Sequence, residues 1–193
     1  MGDLRCTWCL SSDDYQQYHD NEWGLPLRDD QRMFEFLILE TFQAGLNWLM
    51  ILRKREAFRE VFLNFDPHRV ALMTADDVER LAQDKRIVRN RQKIRAAIAN
   101  AQATLRLEAR GIGLSDYFWQ WVDHVAVDNQ GTMQTTSDLS DAIAKDLKSL
   151  GFKFVGSTTI YAHLQATGII NDHQVTCPAY SVAQSLASPS QNP

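Results

Sequence analysis

The sequence predicts an all-α fold. Apolar residues recur at helical spacing, helix-capping residues punctuate the chain, and no alternating strand pair is present. With 193 residues, 45% of them hydrophobic and 23% charged, the chain can bury a real core. We expect one compact domain over residues 1–180 and a flexible tail over 181–193, because the sequence from Pro178 onward is rich in Ser, Ala and Gln.

Taken in order, the chain opens with Cys6-Thr7-Trp8-Cys9 and then Tyr18-His19-Asp20-Asn21-Glu22-Trp23-Gly24, too rich in rings and charges for a plain loop. Asp29-Asp30 leads into a first long helix with Met33, Phe34, Leu37 and Ile38 on its apolar positions. A second helix is expected from Trp48 through Phe62. Asp66-Pro67 is a cap followed by proline, and Thr74 to Asp77 resembles a capping box. A long helix follows from about Ile87 to Ala109, ended by Gly111 and Gly113. Ser115 is read as the cap of a short aromatic helix. Residues 123–136 are read as a surface loop, and Ser137 or Asp138 starts the next helix. Ser157 is read as the cap of the one after, which ends at Gly168.

The most apolar stretch, Phe34 to Trp48, contains Glu40 and Gln43, which share a helix face. A lone buried carboxylate is costly unless something pairs with it. Ala44-Gly45-Leu46 reads as a break, and Asn47 as the cap of a helix beginning at Trp48. A carboxylate, an amide, a turn tipped by Leu46 and a Trp are thereby brought together, which suits a flat, polar, cationic ligand. The plainer alternative is a core helix with Glu40 in an ion pair or at a solvated edge.

Net charge is −4, so the chain as a whole is not drawn to nucleic acid. The basic run from Lys85 to Arg95 could form a local phosphate-binding face or a solvated helix surface balanced by acids. The N-terminus lacks a secretory pattern, three cysteines cannot build a disulfide framework, and no apolar run is long enough to span a bilayer. A cytoplasmic protein with no membrane contact is expected.

Three constellations carry chemistry. Cys6, His19, His173 and Cys177 are zinc-ligand types at the two ends of the chain. Four protein ligands would make such a zinc structural, and Cys9 could stand in for Cys6. Singly, each His also reads as a hydrogen-bonded or surface residue, and Cys177 as a small buried one. Gly151-Phe152-Lys153-Phe154-Val155-Gly156 before Ser157 could present backbone N–H groups to a DNA phosphate, with Lys153 adding charge. An ordinary turn packing Phe152, Phe154 and Val155 inward would look the same. Tyr15, Tyr18, Trp23 and Trp48 around Glu40 could stack on an extruded base, or simply form core.

Together these stretches resemble the 3-methyladenine DNA glycosylase I family, an alkylation-repair branch of the helix-hairpin-helix glycosylases. The matching residues are Tyr18 to Gly24, Leu39-Glu40, Gln43 to Leu46 with Trp48, Phe65-Asp66-Pro67, Gly151 to Gly156, and Asn171-Asp172-His173 with Cys177. The resemblance implies two helical lobes around a base pocket, with zinc closing the termini through Cys6, His19, His173 and Cys177. It implies a pocket of Glu40, Trp48, Tyr18, Tyr15, Trp23 and Trp8, with Glu40 the catalytic residue. The implied DNA contacts are Leu46 as a wedge in the base stack and Gly151, Lys153, Gly156 and Ser157 on a phosphate. The implied reaction is release of free 3-methyladenine from double-stranded alkylated DNA by a monomer, without lyase activity. Asn47 stands where the family has Ser, Thr41-Phe42 fills a variable position, and neither Cys9 nor the tail is carried over. Asp172 is expected to orient His173. A DNA-binding module without chemistry would not require Glu40, and a zinc hydrolase would require an open metal position.

Overall fold

The structure, a computed structural model, describes residues 4–187. Helix α1 (Asp13–Asn21) begins where the Ser12 side chain accepts from the Tyr15 N–H. Helix α2 (Asp30–Gln43), capped by Asp29, is buried at every position from Met33 to Phe42. A helix buried on all sides belongs at the centre of a fold. It ends at the turn Ala44-Gly45-Leu46, where Gly45 takes φ +78°, a value open to glycine at little cost. Asn47 then caps α3 (Trp48–Arg53) as expected, its side chain accepting from Met50 N–H at 3.4 Å.

The single helix expected from Trp48 to Phe62 is two. The chain breaks at Lys54 and restarts as α4 (Arg55–Val61). The break turns Phe58 onto Phe42 at a ring separation of 4.7 Å, and the Lys54 ammonium is held by the carbonyls of Lys85 and Arg86. Asp66 caps α5 (Pro67–Val70), and Thr74 with Asp77 forms the expected capping box of α6 (Ala75–Leu81).

Helix α7 (Arg91–Glu108) starts four residues later than the basic run suggested, because Asn90 caps it with bonds to the N–H groups of Gln92 and Lys93. Its flank is largely neutralised: Arg91 pairs with Glu79, and Arg86 with Asp84 and Glu60. The balanced-surface reading of Lys85 to Arg95 is therefore the one that holds for these side chains. Helix α8 (Leu114–Trp119) is preceded by Gly113 and not capped by Ser115. The Ser115 N–H is instead satisfied by Asp30 from α2 at 2.7 Å.

Residues 123–136 are not wholly a surface loop. Val127–Asp128 (β1) pairs in parallel with Ile170–Asn171 (β2), a link between distant segments that periodicity over two residues cannot reveal. Helix α9 (Asp138–Ser149) is capped by Ser137 and packs against α10 (Ser157–Ala166). Gly156 occupies the cap position of α10, and the Ser157 hydroxyl bonds Ser140 at 2.8 Å. The segment from Pro178, expected to fray, forms α11 (Pro178–Ser185). Its end is tied down by the Ala126 N–H, which donates to the Ala187 carbonyl. The rest of the predicted tail, 188–193, lies outside the described residues.

The main core gathers side chains from α2 to α10, among them Phe34, Phe42, Phe58, Phe62, Phe118, Trp119 and Tyr161. Full burial of a side chain of this size contributes roughly 2–3 kcal/mol. A second cluster of Cys6, Tyr18, Trp23, Phe36, Ala166 and Cys177 joins the N-terminal turn to the C-terminal segment. Among the described residues no helix is long and apolar enough to cross a membrane.

Candidate active site and metal centre

Glu40 sits on the last turns of α2 and faces a small cleft of about 130 Å³ lined by Trp8, Tyr15, Tyr18, Trp23, Gln43 and Trp48, together with Met133, Ala162 and Gln165. All six residues expected to form a base pocket are thus brought together. Tyr18 meets Trp48 at 5.5 Å between ring centres, Trp8 meets Trp23 at 4.9 Å and Trp8 meets Tyr15 at 5.4 Å. The Tyr15 hydroxyl accepts from the Leu49 N–H at 3.0 Å, which fixes the start of α3 beside the cleft.

Four buried polar atoms at this cleft have no protein partner: Glu40 Oε2, Tyr18 Oη, Trp8 Nε1 and Trp48 Nε1. Buried polar groups are nearly always paired, so unpaired groups converging on one cavity mark a site for a polar guest. Two wider clefts carry less chemistry. One lies beside Asp14, Glu22, Arg53 and Arg55, the other beside Arg5, Asp20 and Pro178. Their charges pair with one another, as Arg55 does with Glu22, Arg53 with Asp14 and Arg5 with Asp20.

Burial pushes the Glu40 carboxyl up to about 8, so the open cleft holds it largely protonated at neutral pH. A cation in the cleft would favour the carboxylate. Burial likewise holds the Tyr18 hydroxyl neutral, with Glu40 and Glu22 adding to the effect.

Beside the cleft, Cys6, His19, His173 and Cys177 are all buried and offer four ligand atoms within 4.8 Å of one another. Cys6 Sγ lies 3.6 Å from His173 Nδ1, and Cys177 Sγ lies 3.5 Å from His19 Nε2. Tetrahedral zinc with usual bond lengths would set a sulfur–nitrogen edge of about 3.6 Å. The donor set and its spacing therefore fit zinc. Cys9 is not in this cluster, and its thiol donates to the Cys6 carbonyl at 3.0 Å. Gly24 makes room for the His173 ring: a Cβ there would lie 2.5 Å from Nε2. The cluster and cleft share a wall, since Trp23 meets His173 at 4.7 Å and stacks along His19.

The carboxylate that orients a histidine is Asp20, whose Oδ1 lies 2.8 Å from His19 Nδ1, leaving Nε2 for the cluster. Asp172 has a different task. Its buried carboxylate accepts from Tyr161 Oη at 2.7 Å, Gln165 Nε2 at 2.6 Å and Asn129 Nδ2 at 2.7 Å, and not from the His173 ring. It ties β2, α10 and the 123–136 segment together behind the Gln165–Met133 wall. Asp172→Ala strands the buried donors of Tyr161 and Gln165, and chemical denaturation should record a loss of about 2–5 kcal/mol.

Leu46 stands at the tip of the α2–α3 turn, 42% exposed. The turn between α9 and α10 buries Phe152 and Val155 but leaves Lys153 and Phe154 outside. Phe154 takes φ +57°, and the first turn of α10 has no side-chain cap. Gln165, Met133 and Ala162 did not stand out in the sequence. The signal the sequence offers for the first of them is an amide side chain, Gln165, inside the stretch from Ile160 to Ala166.

The sequence model described as methyladenine glycosylase matches residues 8–180. The chain belongs to the methyladenine glycosylase family. It is 47% identical over 180 residues to DNA-3-methyladenine glycosylase 1 of Escherichia coli (strain K12), covering 91% of this chain and 96% of that protein. A crystal structure of 3-methyladenine DNA glycosylase I superposes with a TM-score of 0.88 at 46% identity, covering 90% of this chain and 98% of that one. A Tyr-to-Phe variant of 3-methyladenine DNA glycosylase I in complex with 3-methyladenine superposes with a TM-score of 0.86 at 36% identity, covering 97% and 98%.

Proposed function

We propose that this protein excises 3-methyladenine from alkylated DNA by hydrolysing its N-glycosidic bond, leaving an abasic site for base excision repair. The observation that carries this reading is Glu40, a buried carboxyl whose Oε2 has no partner among five aromatic side chains, in a chain of the methyladenine glycosylase family.

N3-methylation leaves positive charge on the adenine and makes it a good leaving group, so the enzyme must select the base and favour the stretched bond. The base leaves the duplex and enters the cleft. Glu40 accepts from it as carboxylate, Trp48 stacks on its face, and Tyr18, Trp23, Tyr15 and Trp8 complete the enclosure. Water then takes the sugar carbon. No lysine lines the cleft, which supports a monofunctional enzyme without a Schiff base.

In the same reading, α9 and α10 form a helix-hairpin-helix. Gly151 to Gly156 and the uncapped start of α10 hold a phosphate of double-stranded DNA, with Lys153 and Ser157 beside it. Leu46 fills the gap left by the extruded base. Zinc on Cys6, His19, His173 and Cys177 is structural, because four protein ligands leave no open position. The enzyme acts as a monomer in the cytoplasm, where chromosomal DNA is accessible.

The test is to incubate the purified protein with methylated duplex DNA and resolve the released bases by chromatography. Free 3-methyladenine with intact strands is the expected result. A folded, metal-loaded protein that releases no base would reject the glycosylase reading and leave a DNA-binding module. Strand nicking at the rate of base release would reject the monofunctional one.

A further inference from the structure

We propose that α7 sets the separation between the Leu46 turn and the α9–α10 hairpin, with Lys93 and Asn100 as its two positioning residues. The inference rests on the reading that both loops touch DNA.

Lys93 is only 6% exposed, and its ammonium donates to the carbonyls of Phe42 at 2.8 Å and Ala44 at 2.6 Å. Helix C-terminal carbonyls have no partner within their own helix. Lys93 supplies one at the residues leading into Leu46. Asn100 is fully buried. Its amide donates to the Lys153 carbonyl at 3.1 Å and accepts from the Lys153 N–H at 2.7 Å, gripping the hairpin tip by its main chain. Arg106 repeats the device, donating to the Leu150 carbonyl at 3.1 Å.

Lys93 and Asn100 are seven residues apart on α7, so they lie on one face about 10 Å apart along a rigid axis. An apolar side chain at 93 would avoid the desolvation that lowers the Lys93 pKa, and a hydrophobe would fill position 100. What the polar pair adds is a grip on two separate loops from a single helix. Neither residue lines the cleft. A wedge that enters the base stack while a hairpin holds a phosphate needs a fixed spacing, since misplacement by about 1 Å can cost roughly 100-fold in rate.

The experiment compares wild type with Lys93→Met, Asn100→Ala and the double variant. The readouts are single-turnover release of 3-methyladenine from methylated duplex, binding of free 3-methyladenine by tryptophan fluorescence, and melting temperature. Wild-type release is measured first, and its failure would sink the functional reading and not this one. Each single change is expected to slow release about tenfold while free-base affinity moves less than about twofold. The double variant should be little worse than the slower single, because one lost spacing cannot be lost twice.

Unchanged release would overturn the proposal. So would losses that multiply to about 100-fold, since the two loops would then be held independently. Free-base affinity falling in parallel would mean a collapsed pocket and would overturn it as well. Should Met or Ala prevent folding, Lys93→Arg and Asn100→Asp keep part of each grip and give the same comparison at smaller amplitude.

Discussion

Glu40→Gln is expected to release 3-methyladenine roughly 10- to 100-fold more slowly than the wild type, the worth of about 1.5–3 kcal/mol for a hydrogen bond to a charged group. Gln keeps the size and one acceptor but cannot become an anion opposite a cationic base. The pH profile should carry the same signature. Burial raises the Glu40 carboxyl to about 8 in the open cleft, so the reactive carboxylate accumulates as pH rises toward that value. Release at low substrate concentration should climb through this range in the wild type and stay flat in the Gln variant.

Stability should move the opposite way. A carboxyl whose folded-state pKa is raised leaves the native state holding a proton that the unfolded chain has lost. Its contribution to stability therefore declines as pH rises from the usual carboxylate value of 4.5 toward about 8, then levels off. Glu40→Gln removes that decline. The variant should melt with the wild type near pH 4.5 and above it at pH 8. Equal activity with lower stability would mean that Glu40 is a structural residue, and the proposed chemistry would fail.

Most of this arrangement was legible in the sequence, because its signals are local. Gly45 and Asn47 announce the end of one helix and the start of the next, and the structure puts Leu46 and Trp48 on either side of that joint. Asp66-Pro67 and Thr74 to Asp77 act through bonds within three residues, so their caps could be read directly. What escaped was set by contacts across the chain. The break at Lys54 depends on carbonyls more than 30 residues away. Ser115 is not the cap because α8 already begins at Leu114, and Asp30 from α2 takes the first-turn N–H of Ser115. Asp172 looked like a partner for the adjacent His173, whereas its bonds run to Tyr161, Gln165 and Asn129. The two-residue strands and the late helix α11 were missed for the same reason, since a partner elsewhere orders each of them.

If zinc occupies the proposed site, removing it is expected to lower stability by about 5 kcal/mol, the scale on which a cross-link closing a loop of well over 100 residues restricts the unfolded chain. Cys6 and His173 are 167 positions apart and Cys177 and His19 are 158, so one ion would tie both ends of the chain at once. For a domain of this size the melting temperature should fall by roughly 10–20 °C. Cys177→Ser should do the same and reduce bound zinc below one per chain, and cobalt exchanged into the wild type should show a tetrahedral thiolate spectrum. The loss should then reach the cleft, because Trp23 packs against both His19 and His173. Free 3-methyladenine should bind more weakly to stripped protein even below its melting point. A catalytic metal would behave otherwise: release would vanish while melting and free-base binding held. Stripped protein that melts with the native form would show that hydrogen bonds alone order the Cys6–His19–His173–Cys177 cluster. The second apolar cluster around Tyr18, Trp23 and Phe36 would then be what joins the two ends of the chain.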